Sequence, residues 1–449
     1  MITVLTDDIE LWFKYIWDQF IQINSLKSGY ELVQYSDFKH SKHVNYSLII
    51  EYGSRQQFLN SLFIPKRKAH LTDDYVWIRK DLPVYRATVV GGDNGSFDIF
   101  WNAFVHLSRL EEWESEKNGN PIHSYSFRHP RKDKRIWKIP VVNYLFNELE
   151  EKIRQRFPEV SFGEKAKPII ELSHDVDYIH KTIQLRIKQS LFHLFNSGKF
   201  LLRMDIKNSL LKFKNGVEFA LTDSDYWCFD DWRELESKMG IRSVYYFFSK
   251  ADNQTCNPKQ WLLDPSYDIS NNMQLKKKCM ELASEGYQLG IHGSYFSAEN
   301  EELFLREKEL MERATGINIK KSRQHWLNYY ECKTPYIHTK AGIEEDSTIG
   351  FNDLAGFRSG VASLYNLYDH KSNAPFPFKE IPLVVMDSHL YDYSDRSDNL
   401  RWLFDSIHKV KNFSISVDWH QRVISNDYGW GKGLEQFMTY SRDDLDNNE

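Results

Sequence analysis

Cysteine is scarce in this chain: Cys228, Cys256, Cys279 and Cys332 are the four in 449 residues, and no two of them form a C-x-x-C pair. That argues against a disulfide framework or a zinc–thiolate site and fits a reducing compartment. Long apolar runs are missing too. No stretch approaches the roughly 20 residues that cross a bilayer as a helix. The opening MITVLTDDIELWFKYIWDQF has neither a basic n-region nor an unbroken apolar segment, so it does not read as a signal peptide. A cytoplasmic protein is the expectation that follows. Positive charge is not in excess either, since 58 Lys and Arg against 63 Asp and Glu leave a net −5. That argues against a general nucleic-acid binder. No internal repeat or low-complexity tract stands out.

What is present is a globular composition, 41% hydrophobic and 27% charged. The length exceeds one ordinary core, so the expectation is two domains, with one large α/β unit as the alternative. Aromatic residues reach 15%, which suits a sugar-facing cleft and an ordinary core alike. Residues 1–160 alternate short strand-like runs such as YSLIIEYG with polar turns, GGDNGS the clearest. FDIFWNAFVHLSRLEEWE then carries a helical stripe through Ile99, Ala103, His106, Leu107 and Leu110. This reads as a smaller α+β N-terminal domain. The boundary is expected in RFPEVSFGEKAKP, with the second domain over residues 165–449.

In that second part strands and helices alternate. IRSVYYFFS, YQLGIHGSY, KKSRQHW, KEIPLVVM and FSISVDWH read as strands. NNMQLKKKCMELASEG and EELFLREKELMERATG read as helices that stop at Gly286 and Gly316. Repeated βα units predict a parallel sheet, open or closed into a barrel. Chemistry on such sheets sits at the carboxyl ends of the strands. The run KPIIELSHDVD ends there in Asp175 and Asp177, and later strands end near His292, Arg323 with His325, and His420. Residues two apart on a strand share a face, so each pair is expected to point together. Carboxylates with imidazoles suit zinc or a similar divalent ion that activates water. Any one of these histidines alone is more often a hydrogen-bonded structural residue.

Over residues 165–425 the chain resembles the polysaccharide deacetylases, metal-dependent carbohydrate esterases built on a distorted (β/α) barrel. LSHDVD is similar to the family's D-x-D motif, HGSYFS to its second motif, SRQHW to its third and VDWH to its last. The resemblance implies Asp175 as catalytic base and Asp177 and His292 as metal ligands. It implies Arg323 as the cation holding the base, and His420 as general acid. It also implies a divalent metal cofactor, zinc by preference, and a carbohydrate substrate from which acetyl groups are removed, N-deacetylation first. DSTIGFNDLAGFRSG and SRQHW resemble a bacterial subgroup, found among surface-polysaccharide genes, in which an extra N-terminal domain precedes the deacetylase.

One position departs from the pattern. The second motif carries a further His four residues after the first, and here that residue is Phe296. His325, sharing a strand face with Arg323, is the candidate third ligand, with Ser294 or water as weaker options. Loss of metal binding altogether is the remaining one. Arg358 and Tyr295 are candidate substrate contacts, Arg358 having a structural reading beside it. Asp346 and Asp353 are expected to order their loop. Two rival functions stand beside the hydrolase: a glycan-binding barrel without turnover, supported by Phe296, and a D-x-D glycosyltransferase, which gives no reason for the histidines. Residues 181–215 carry eight Lys or Arg against one acidic residue, interleaved with Leu191, Phe192 and Phe195. The preferred expectation is an amphipathic excursion packed on the domain. Peripheral contact with an anionic membrane or glycan is the alternative.

Overall fold

The computed structural model describes residues 1–38, 48–91, 95–251, 258–390 and 400–428, together with Leu434 and Phe437. Cys256 and the centre of GGDNGS lie outside the described residues. Near the N-terminus, β1 (Ile2–Thr6), β2 (Tyr30–Gln34), β3 (Ile49–Gly53) and β4 (Leu62–Pro65) pair in the order β2-β1-β3-β4. All three pairings are parallel, so this region is α/β where the short strands and turns suggested α+β. The helix Leu11–Asn24, apolar on the face that carries Phe13, Ile16, Trp17 and Phe20, makes the crossover that parallel pairing requires. Among the described residues of this region the antiparallel strand pairs are two small hairpins, β5 (Tyr75–Ile78) with β6 (Leu82–Tyr85), and β7 (Val89–Val90) with β8 (Ser96–Phe97), besides a single bridge between Leu26 and Phe162.

The expected helix after β8 is two helices, Ile99–Leu107 and Leu110–Lys117, separated at Arg109, whose φ of 55° is left-handed. Arg109 turns there to reach acidic partners: Nη2 meets Glu112 at 2.7 Å and Nε meets Glu331 at 3.1 Å. Periodicity alone does not reveal such a break, because the apolar stripe continues across it.

A nine-stranded sheet follows. Its strands are β9 (Ile169–Val176), β10 (Val244–Phe247), β11 (Gln288–Gly293), β12 (Lys321–Gln324), β13 (Glu345–Asp346), β14 (Tyr365–Asp369), β15 (Ala374–Glu380), β16 (Leu383–Met386) and β17 (Ser414–Asp418). The order is β14-β15-β13-β12-β11-β10-β9-β17-β16, with β14–β15 the antiparallel pair at one edge. Among the described residues no pairing joins β14 to β16, so the barrel is open. The helices between strands start and stop where their side chains dictate. Asn272 and Asn300 accept the backbone N–H of Leu275 and Leu303, and Gly316 takes the left-handed C-terminal position at φ 73°.

The two regions share one core. Trp12, Phe104 and Val141 belong to the same buried cluster as Tyr365, Leu367 and Phe378 from the β14–β15 hairpin. An ion cluster lies at the same junction. Glu112 accepts from Arg358 Nη2 at 2.6 Å and from Arg109 at 2.7 Å, while Arg358 Nη1 donates to the carbonyl of Gly350 at 2.8 Å. Burial would raise the Glu112 carboxyl, but the two guanidinium groups hold it well below the usual range. Arg358 is therefore a buried structural cation and not the substrate contact that its place in AGFRSG suggested. Removing one partner of a buried pair strands the other charge, so Arg358→Met should destabilise the protein by roughly 3–5 kcal/mol. Urea denaturation measures this; a loss below about 1 kcal/mol would show that the cluster is dispensable.

Candidate functional site

Strand alternation sorts the residues of SHDVD. His174 points away from the cleft, its Nδ1 donating to the Trp419 carbonyl at 2.6 Å and its ring lying 4.4 Å from Trp232 and 4.9 Å from Tyr245. Its Nε2 meets Glu236 at 2.8 Å. Asp175 and Asp177 reach the other face and line a cleft of about 550 Å³ at the carboxyl ends of the strands. The sheet order β12-β11-β10-β9-β17-β16 brings the remaining groups beside them: Arg323 from β12, His325 just after it, His292 from β11, His420 after β17 and Asp387 after β16.

Asp177, His292 and His325 form one buried group whose ligand atoms all lie within 4.8 Å of one another. Asp177 Oδ1 stands 3.4 Å from Nε2 of His292 and 3.4 Å from Nε2 of His325, and it has no hydrogen-bond partner. Both rings are fixed from behind. His292 Nδ1 donates to the carbonyl of Arg323 at 2.9 Å, and His325 Nδ1 faces Asp264 Oδ1 at 3.3 Å. A carbonyl only accepts, so the Nδ1 proton of His292 is assigned and its Nε2 turns to Asp177. Backing of imidazole ligands by a carbonyl and a carboxylate is the usual support around a metal. An unpartnered buried carboxylate oxygen between two such nitrogens fits a divalent ion. The other oxygen, Oδ2, is taken by Arg422 Nη1 at 2.6 Å.

His325 reaches this position through the turn that follows β12. His325 lines the cleft and Arg323, enclosed beside it, reaches Asp175, while Gln324 between them bonds His338 Nε2 at 3.0 Å. Beyond His325 the chain bends sharply, with Trp326 and Leu327 at φ 61° and 48°. Phe296 is half-buried beside Tyr295, at 5.3 Å between ring centres, and does not line the cleft.

Next to the triad lies an acid–base half. Arg323 is fully buried; Nη1 donates to Asp175 Oδ1 at 2.9 Å and to Ser173 Oγ at 2.8 Å, and lies 3.2 Å from Asp418. Burial would raise the Asp175 carboxyl, yet Arg323, and then His292 and His420, bring it below its ordinary value. His420 Nδ1 sits 3.0 Å from Asp387 and 3.2 Å from Asp418. Burial would lower this imidazole, and the two carboxylates outweigh it, pushing it up to about 10. Asp418 itself is pushed up to about 7, by burial and then by Asp175.

The cleft walls are partly aromatic, with Tyr125, Tyr178, Phe192, Trp326 and Tyr428. Lys188, whose Nζ stands 4.6 Å over the Trp326 ring, is drawn down to about 8 by desolvation. Tyr295, offered as a substrate contact, lies outside the lining; its backbone N–H donates to Asp264 Oδ1 at 2.8 Å. Asp346 orders its loop through Ser322 and Thr348, and Asp353 binds the N–H and hydroxyl of Ser126. Asp264, Asp387, Asp418, Arg422 and Lys188 also belong to the site, beyond the residues expected from the sequence. Asp418 repeats, two residues before His420, the alternation seen in SHDVD, and Asp387 ends the apolar run LVVM; both carried a signal. Asp264 and Arg422 carried none.

No protein-family model matches the chain, and no curated protein matches it in sequence. Solved structures with a similar course include a proposed polysaccharide deacetylase from Mycobacterium smegmatis, 13% identical with a TM-score of 0.36, over 63% of this chain and 86% of that one. A CE4-family pseudoenzyme from Bacillus anthracis is 10% identical with a TM-score of 0.27, over 63% and 64%. A 4-alpha-glucanotransferase from Thermococcus litoralis is 14% identical with a TM-score of 0.33, over 61% and 37%. These likenesses are distant.

Two substitutions test the triad. If the triad holds a divalent ion, His325→Phe should abolish zinc retention in elemental analysis after dialysis against zinc buffer, because two ligands remain. Asp264→Ala, acting from behind His325, should weaken zinc by roughly 10–100-fold. Full zinc retention by His325→Phe would place the third ligand elsewhere.

Proposed function

We propose that the chain is a metal-dependent hydrolase that removes acetyl groups, N-linked ones first, from a carbohydrate. The observation that carries this reading is the unpartnered Asp177 Oδ1 between two imidazole Nε2 atoms, next to a carboxylate held by a buried arginine. Asp177, His292 and His325 are the residues that would hold the ion. Bound there, a divalent ion would lower the pKa of a water and polarise the acyl carbonyl.

The chain's own groups then divide the proton transfers. Asp175 has Oδ1 on Arg323 and is kept ionised, so it accepts a proton from the attacking water. Arg323 fixes the direction of that carboxylate through five further contacts to Ser173, Ser347, Ser416 and Asp418. His420, protonated at neutral pH by its two carboxylate neighbours, gives a proton to the departing sugar nitrogen. The aromatic walls suit pyranose faces, and the hydroxyls of Tyr125 and Tyr178 add polar tips.

A second reading is favoured by one contact. Arg422 on Asp177 supplies positive charge where a metal would, which suits a glycan-binding site without turnover. Zinc stoichiometry of the purified protein separates the two readings, since the binding module needs none.

Acetate release from N-acetylglucosamine oligomers by the zinc-loaded protein tests the hydrolase. Asp175→Asn should lower the rate by about 10²–10⁴ with zinc content unchanged. Arg323→Lys should also lower it, and the double variant should lose little more than the worse single one, because the pair acts as a unit. Additive losses would dissolve the pairing.

A further inference from the structure

The basic segment after β9 is a helical hairpin, Ile183–Leu202 and Ile206–Leu221, and among the described residues only its base joins a buried apolar cluster. Leu185 and Phe219 join Tyr178 and Tyr226 in a small buried cluster. Fifteen of the twenty-five exposed large apolar side chains among the described residues fall between Ile183 and Leu221. Phe195 is 71% exposed, Leu202 89% and Leu210 65%. The expectation of an excursion packed on the domain therefore fails beyond the hairpin's base.

The seam between the helices is the inverse of a water-soluble pair. Ser197 and Ser209 exchange hydroxyl-to-carbonyl bonds at 2.9 Å each, and Ser190 Oγ donates to the Gly216 carbonyl at 3.0 Å. A Cβ on Gly216 would come within 3.1 Å of His193 Cβ, so the backbones approach closely there. Small and polar residues lie inside while Leu, Ile and Phe point out. Helices in lipid pack in this way, because lipid tails are as apolar as leucine.

The charge selects the partner. Residues 181–221 hold eight Lys or Arg against Asp205 and Glu218, in a chain whose net charge is −5. The cores of protein–protein interfaces are depleted in Lys. Interfacial membrane helices combine apolar side chains with Lys and Arg, whose stems lie along the apolar surface while their heads reach phosphate. No described helix is long and apolar enough to cross a membrane, so the hairpin would lie in the interface.

From the outward apolar side chains, the small-residue seam and the basic rim, we infer that the hairpin 183–221 docks the protein on an anionic lipid bilayer. The same element contributes Leu185, Lys188, Gln189 and Phe192 to the cleft wall, so docking sets the cleft at the bilayer surface. That the cleft then meets a lipid-anchored saccharide rests on the hydrolase reading above; the docking does not.

Co-sedimentation of the full chain with phosphatidylcholine vesicles, with and without phosphatidylglycerol, tests the inference. The wild type should pellet with the mixed vesicles, and less so as salt rises. The exposed charge variant Lys199→Gln/Arg203→Gln/Lys207→Gln should bind roughly a hundredfold more weakly, at about 1 kcal/mol per basic side chain. Phe195→Ser/Leu202→Ser/Leu210→Ser should lose binding while keeping wild-type zinc content and circular dichroism. A wild type that stays in the supernatant overturns the inference, as does an apolar variant that binds like wild type. So does a concentration-dependent dimer that the apolar variant abolishes without any vesicle binding, since a second copy would then cover the face. Absence of zinc or of deacetylation leaves this test unaffected.

Discussion

The site depends on one buried cation. Arg323 is wholly enclosed at the carboxyl end of β12 and ties Asp175 and Ser173 of β9 to Asp418 and Ser416 of β17 and to Ser347 after β13. An enclosed guanidinium without partners would be very unfavourable, and so would the carboxylates around it. Each therefore holds the other in place. The strands that flank β9 are brought into register around this group, and the register sets where Asp177, His292, His325 and His420 come to lie. Tyr246, on β10, presents the face of its ring 4.4 Å from the guanidinium.

Around that anchor the cleft divides its charges by role. Asp175 and Asp177 are both kept ionised, by Arg323 and Arg422 respectively, against a burial that would protonate them. Asp387 and Asp418 keep the proton on His420. His325 is lowered from its ordinary value by burial, which favours the neutral ring that a metal needs. His292 is raised, because burial is outweighed by Asp175 and Asp177. The two carboxylates are thus shifted in one direction, whereas the three imidazoles are shifted in different directions by their different neighbours.

Within residues 165–425, strands β9 to β12, β16 and β17 and the helices Met273–Ser284 and Glu301–Thr315 were readable from their apolar runs and glycine stops, whereas β13 and β14 were not, and KEIPLVVM is split between β15 and β16. Strand alternation brought Asp175 with Asp177, and Arg323 with His325, onto shared faces, and strand-end placement marked His292 and His420. Other features depend on contacts that no local pattern encodes. Arg358 looked available in a glycine-flanked loop, but Glu112, some 246 positions away in sequence, claims it. The break at Arg109 and the backing of His325 by Asp264 arise in the same way, from partners distant in sequence. The hairpin of residues 183–221 misled for a different reason. Its periodicity correctly gives amphipathic helices, but periodicity does not say whether the apolar face meets protein or lipid.

Anomalous diffraction at the zinc edge, on crystals of the wild-type protein grown with zinc, tests the central account most directly. One peak is expected, about 2 Å from Asp177 Oδ1, His292 Nε2 and His325 Nε2. A cleft without a peak, or a peak held instead by Asp175, Asp418 and His420, would contradict it.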